Sequence, residues 1–380
     1  MAEPGRLREL AALFLKLGTI GFGGPAAHIA MTHDEVVVRR RWFTDAQYAD
    51  MIGMANLVPG PNSTEVAIHV GRERAGWRGL LVAGSCFILP AALIVGFLAW
   101  MYERYGTEPP GEWVLNGVKP VVIALIAQAI WLLARTTVRG VLLPLVGVAA
   151  LVAAFAGVHE LVILAGAGLV VAVWRSGGRL ANRSGAFLPL PLLPLLGGTG
   201  TSATMSAGLA PLFFAFLWIG SVLYGSGYVL FALLQGELVD SRGWLTEQQL
   251  LDAVAVGQVT PGPLFTTATF IGFLLGGVPG AIVATVAIFL PGFVFVAITG
   301  PLIPRLRGSA VFGAFLDGVV VASLALIGWV GWVFGRDAIV DGWTAAIALV
   351  AAVLLFRWRV PSIWLVLGGA LAGLLIEWIG

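Results

Sequence analysis

The chain has 380 residues, 59% of them hydrophobic and 11% charged, with a formal net charge of +2. Soluble domains carry roughly 25% charged residues, so the composition excludes an ordinary soluble enzyme and gives no sign of a nucleic-acid partner. The mean hydropathy of +0.95 points to an all-α polytopic membrane protein, in which the placement of charges matters more than their sum.

The first apolar segment covers about residues 9–30 and is interrupted by Lys16, without the small-residue cleavage site of a signal peptide. It contains "GTIGFGGPAAH" (18–28), with four glycines and Pro25. Gly21, Gly23 and Ala26 formally match a dinucleotide fingerprint, but no strand precedes them. Two readings remain: close helix packing through small residues, or a helix terminus at a binding site involving Gly23, Gly24 and Pro25. His28 and His33, with Asp34 and Glu35, are too few for a metal site, and no cofactor is expected. "RRRW" at 39–42 reads as a cytoplasmic topology signal with an interfacial tryptophan.

The next segment, 45–72, contains "MANLVPGPNSTEVAIHVG" and is a broken helix. Lipid cannot satisfy free backbone groups, so such a break must be buried in protein or line a wet cavity. Pro61 reads as the first residue of a new helix. Pro59, Gly60, Pro61, Asn62, Ser63 and Thr64 would then surround a helix N-terminus, which carries partial positive charge and favours anions. Glu65 follows and is the better candidate for a coupling proton; Asp50 precedes the break and would cap, pair or take up a proton. Spans follow at about 77–101, 113–134, 140–157 and 160–174. Lys119 lies in the second of these, either as a counter-ion for a bound anion or snorkelling to the interface.

A glycine- and proline-rich linker, 176–208, separates the two halves, 1–175 and 209–380. "WFTDAQYADMIGMANLVPGP" (42–61) aligns with "WLTEQQLLDAVAVGQVTPGP" (244–263), and "NGV" at 116 with "DGV" at 317. Asp252 thus matches Asp50, and Pro261, Gly262 and Pro263 match the first break, followed by Thr266 and Thr267. "YGSGY" at 224 answers the glycine-rich first segment, and Val320 stands where the first half has Lys119. The second half offers spans at about 209–233, 279–302, 310–333, 338–356 and 361–378, with 247–275 as its broken segment.

Arginine placement indicates inversion. "GRERAGWR" has three arginines and its counterpart "GFLLGGVPG" none, whereas the next pair of loops reverses the bias, "YERYGTEPPGE" against "PLIPRLRGS". With 45–72 and 247–275 re-entrant, ten full crossings result; with both fully spanning, twelve. Broken helices at matching places in inverted halves point to a transporter's binding site.

"GFGGPAAHIAMTHDEVV", "LVPGPNSTEVAIHVG", "RAGWRGLLVAG" and "VGQVTPGPLFTTATFIGFLLGG" resemble the signatures of the chromate ion transporter family, in its long form with duplicated, opposed halves. The resemblance implies efflux of chromate from the bacterial cytoplasm across the inner membrane, driven by the membrane potential or a proton gradient, with sulfate as competitor. It places the family's motif residues on Gly23, Gly24, Pro25, His28, Pro59 to Thr64, Pro261 to Pro263, Thr266 and Thr267. A transporter of sulfate or another small oxyanion is the alternative within transport. A membrane-embedded enzyme or lipid flippase using Glu65, Asp50 and His28 is the alternative of another class. The oligomeric state stays open, a homodimer being one arrangement.

Overall fold

The computed structural model describes residues 4–379 except 23, 107, 138–139, 177–207, 225–226, 228 and 300–309. The described residues are almost wholly helical. The first half contains α1 (Pro4–Ile20), α2 (Gly24–His33), α3 (Asp45–Ala55), α4 (Asn62–Tyr105), α5 (Pro109–Thr137), α6 (Leu142–Phe155) and α7 (Glu160–Ser176). The second repeats the order with α8 (Leu209–Val222), α9 (Val229–Leu234), α10 (Glu247–Val259), α11 (Thr267–Thr299), α12 (Ala310–Ala338), α13 (Gly342–Val353) and α14 (Ser362–Ile379). Residues 62–105, 111–135, 264–298 and 311–338 form helices long and apolar enough to cross a bilayer.

The repeat extends to the backbone. The helices α3 and α10 both begin with a capping box, Thr44 with Gln47 and Thr246 with Gln249. The helix α4 is a hairpin. Ala75 (φ −144, ψ 23) and Gly76 (φ 65, ψ −151) reverse the chain, and Gly276 (φ −156, ψ 21) and Gly277 (φ 61, ψ −152) do the same in α11. Such closely packed arms need small residues where they meet. A Cβ on Gly71 would strike the Gly79 carbonyl, and one on Gly272 the Gly280 carbonyl. Gly71→Val is therefore expected to destabilise the fold by about 1–3 kcal/mol, read as a lower thermal midpoint in detergent.

The broken segment 45–72 returns to the end from which it starts. The Arg74 guanidinium sits 4.7 Å from the centre of the Trp42 ring, so the start of α3 and the end of the first arm of α4 share one face. The first segment departs from expectation: 9–30 is not a single crossing. Lys16 on α1 pairs with Glu35 beyond α2 at 2.7 Å, and Glu9 pairs with Arg74. The chain thus enters along α1, breaks at Gly21 and returns along α2. The Lys16 hydrogen bond, followed by Arg40, holds the Glu35 carboxyl below its usual range despite partial burial. The count of ten crossings consequently falls, because the opening segment turns back.

The halves are opposed. Gly117 on α5 packs against Gly369 on α14, and Trp113 lies opposite Gly373, so the two helices run antiparallel. Gly318 on α12 meets Ala167 on α7 in the matching contact. Each half therefore lends its last two helices to the other, and close glycine contacts take the role that apolar burial plays in water. The expected linker falls largely on 177–207, outside the described residues.

Two non-glycine residues among those described have positive φ, Arg41 (51°) and Arg359 (52°). Their repeat counterparts are Gly243 (60°) and Gly157 (76°). A left-handed residue other than glycine costs about 1–2 kcal/mol, so a positive charge is being kept at these turns against backbone preference. Arg359→Gly is expected to raise stability by about 1 kcal/mol, read by thermal denaturation in detergent.

Candidate functional site

Each of the two breaks is bound by the opposite half. The Gly60 N–H donates to the Leu223 carbonyl at 2.8 Å, and the Gly262 N–H donates to the Gly21 carbonyl at 2.8 Å. With the repeat offset, Gly60 corresponds to Gly262 and Gly21 to Leu223. Each Pro-Gly-Pro tip is thus tied to the opposite half's first break, in a pair related by the internal two-fold. Positive φ at both glycines, 142° and 95°, permits the tight approach. A Cβ on Gly60 would collide with Glu65, and one on Gly262 with Ala91.

This geometry corrects the expectation of exposed amides around an open pocket. Pro59, Gly60, Pro61, Pro261, Gly262 and Pro263 are buried, and the glycine amides are engaged across the halves. Helix α4 starts at Asn62, with Pro61 as its N-cap (φ −78, ψ 92) rather than its first residue. Thr64 and Glu65 N–H groups donate to the Pro61 carbonyl. The Thr266 and Thr267 hydroxyls donate to the carbonyls of Pro263 and Leu264, closing their own turns. The Asn62 amide donates to Asn56 at 2.8 Å.

Polar groups remain on the first tip. Ser63 is buried, and Thr64 Oγ1 is buried without a hydrogen-bond partner among the described residues. Glu65 has no exposed surface, and among the described residues both its carboxylate oxygens lack partners. One turn along the same arm, buried His69 also leaves Nε2 unsatisfied. Sequence reasoning passed over His69, although its spacing of four from Glu65 sets both on one helix face. His28 Nε2 lies 2.8 Å from the Gly21 carbonyl, buttressing the acceptor of the Gly262 amide. Gly24 and Pro25 open α2 beside the tips; Gly23, with 225, 226 and 228 of "YGSGY", lies outside the described residues.

The lysine neither snorkels nor awaits an anion. Lys119 on α5 pairs with Asp252 on α10 at 2.9 Å, both nearly fully buried, and the Tyr102 hydroxyl donates to Asp252 at 2.8 Å. Asp50, its repeat counterpart, is exposed. Two aspartates equal in sequence therefore have different surroundings: Asp252 is buried against Lys119, and Asp50 lies at the surface. Beside the tips, a cleft of about 530 Å³ is lined by Gly24, Gln128, Arg135, Gln258 and Arg359 among others.

Buried polar breaks, each held by the backbone of the opposed half, define a polytopic membrane protein of transporter type. A family model described as "Chromate transporter" matches residues 8–172 and again 210–374, and the chain belongs to that family. It is 34% identical to the probable chromate transport protein of Synechococcus elongatus, covering 97% of this chain and 95% of that one. It is 35% identical to the chromate transport protein of Cupriavidus metallidurans, over 97% and 92%. Against the chromate transport protein of Pseudomonas aeruginosa the identity is 31%, over 86% and 80%. No solved structure matches the chain.

Proposed function

We propose that the protein exports chromate from the bacterial cytoplasm across the inner membrane, as a secondary carrier in which the two halves rock about the tip contacts. The observation that carries this reading is the symmetric pair of backbone hydrogen bonds, Gly60 to Leu223 and Gly262 to Gly21. Each is a latch between halves. Opening the first frees the Gly60 amide beside Ser63 and Thr64, and a tetrahedral dianion fits amide and hydroxyl donors at a helix start. The arginines kept at Arg41 and Arg359, where the other half has glycine, support a cytoplasmic assignment for their face.

Glu65 is the group that couples protons. A charged carboxylate without partners costs many kcal/mol in dry protein, so Glu65 carries its proton while the tips are closed. Water entering on opening lets that proton leave. Alternating occupancy by proton and anion then follows from one steric event at one place.

Radiolabelled chromate uptake into inverted vesicles, across a range of imposed pH gradients, tests this reading. We expect saturable uptake, competition by sulfate, and loss of uptake with Ser63→Ala combined with Thr64→Ala. Uptake no greater than in control vesicles, or lipid scrambling or turnover without anion flux, contradicts it.

A further inference from the structure

The cleft beside the second tip has a composition that the tip contacts do not require. Its walls include Arg135, Arg359, Gln128, Gln258, Trp131 and Gly24, and no acidic residue lines it. Among the described residues neither arginine has a carboxylate partner. The Arg135 guanidinium lies over the Trp131 ring at 4.5 Å from its centre. At the inner end, Gln258 sits just ahead of the second tip, and its Nε2 is buried without a hydrogen-bond partner among the described residues. Gly24 opens α2 just beyond the break whose Gly21 carbonyl holds the Gly262 amide. The cleft therefore runs from two guanidinium groups without a carboxylate partner among the described residues to the Gln258 amide at the tip.

The repeat offers an internal comparison. Positions equivalent to Gln128, Gln258 and Arg359 hold Trp329, Asn56 and Gly157, while Arg135 is matched by Arg336. The opposite face thus lacks one arginine and both glutamines of this set, with an asparagine in place of one of them. Arg359 is also held in the left-handed region, at φ 52°, where its counterpart is a glycine. A side chain kept against backbone preference, at the mouth of a cleft free of acids, has a charge-dependent task.

We propose that this cleft is the anion-receiving vestibule of the carrier, a site for a doubly charged oxyanion on the arginine-rich face, occupied before the anion reaches the tips. Guanidinium groups match the oxygens of such an anion in paired hydrogen bonds. Walls of one sign raise its local concentration. Gln258 Nε2 then donates to the anion as it passes inward. This proposal rests on the oxyanion-carrier reading and assigns it a route and a side.

The test uses the full chain with Arg359→Gly, Arg135→Gln and the double variant. Arg359→Gly installs the residue the repeat already uses there, so the turn keeps its backbone while the charge is lost. In inverted vesicles, each single variant should raise the chromate KM about 3–10-fold at low ionic strength with kcat unchanged. The salt dependence of KM should flatten in the double variant, and Arg359→Lys should recover part of the affinity. A double variant with wild-type KM and wild-type salt dependence overturns the vestibule. Equilibrium dialysis of radiolabelled sulfate against purified protein separates the two readings. Sulfate binding that weakens in the double variant, in a protein that moves no anion, would retain the vestibule and reject the carrier. Normal transport with unchanged KM would do the reverse.

Discussion

Removing Lys119 alone is expected to cost about 3–5 kcal/mol of stability, the largest loss from any single substitution considered for this chain. Lys119→Met leaves Asp252 buried with only the Tyr102 hydroxyl for company. An unpaired carboxylate in that position either stays charged at great cost or takes up a proton. The double variant Lys119→Met with Asp252→Asn removes both charges and should regain most of the loss, because replacing a whole buried pair is often close to neutral. Thermal unfolding of purified single and double variants measures this directly. Equal midpoints for Lys119→Met and wild type would show that the pair holds nothing together. The pair links α5 of one half to the re-entrant hairpin of the other, so its loss should loosen the second tip before the first.

The second large effect concerns Glu65. Glu65→Gln keeps the volume that packs against Gly60 and Gly292 but removes the titrating group. Transport driven by an imposed pH gradient should fall about 100-fold or more, the lower end of what a positioned proton-transfer group contributes. Chromate exchange at equal pH on both sides should persist, because the tip donors are untouched. Loss of both activities, with protein still inserted and folded, would assign Glu65 to anion binding. Retention of both would remove it from the mechanism.

Much of the architecture could be read from the residues, and the failures have physical reasons. The breaks were legible because Pro-Gly-Pro cannot continue a helix and recurs in register with Trp and Asp. Inversion was legible from arginines alone. The first segment was misread as a crossing because hydropathy reports length, whereas direction depends on Gly21 and the returning contact of Lys16 with Glu35. The turn inside α4 was legible as the arginine-rich loop between 45–72 and 77–101, but the close packing of its two arms was not. Ala75 and Gly76 lie in an arginine-rich loop, and nothing in composition says that the arms on either side pack together.

Within the candidate site, the sequence located the two Pro-Gly-Pro tips but not what they face. It located Gly60 and Gly262, yet could not show that each amide is taken by the opposite half, because that pairing exists only once the halves are docked. Lys119 and Asp252 were both singled out, separately, for the same reason. His69 was detectable by helical spacing from Glu65, whereas the vestibule was not: Arg135, Gln258 and Arg359 come from three distant segments, and a left-handed arginine leaves no mark in a hydropathy pattern.

The central claim is that the two tips, latched across the halves, form the working centre of an oxyanion carrier. Radiolabelled chromate uptake by Gly60→Ala and by Gly262→Ala, each in inverted vesicles with insertion verified, tests it most directly. A Cβ at either place must displace Glu65 or Ala91 and strain a backbone at φ 142° or 95°, so each variant should lose transport although the substitutions lie in different halves. Uptake at the wild-type rate by both variants would contradict the account.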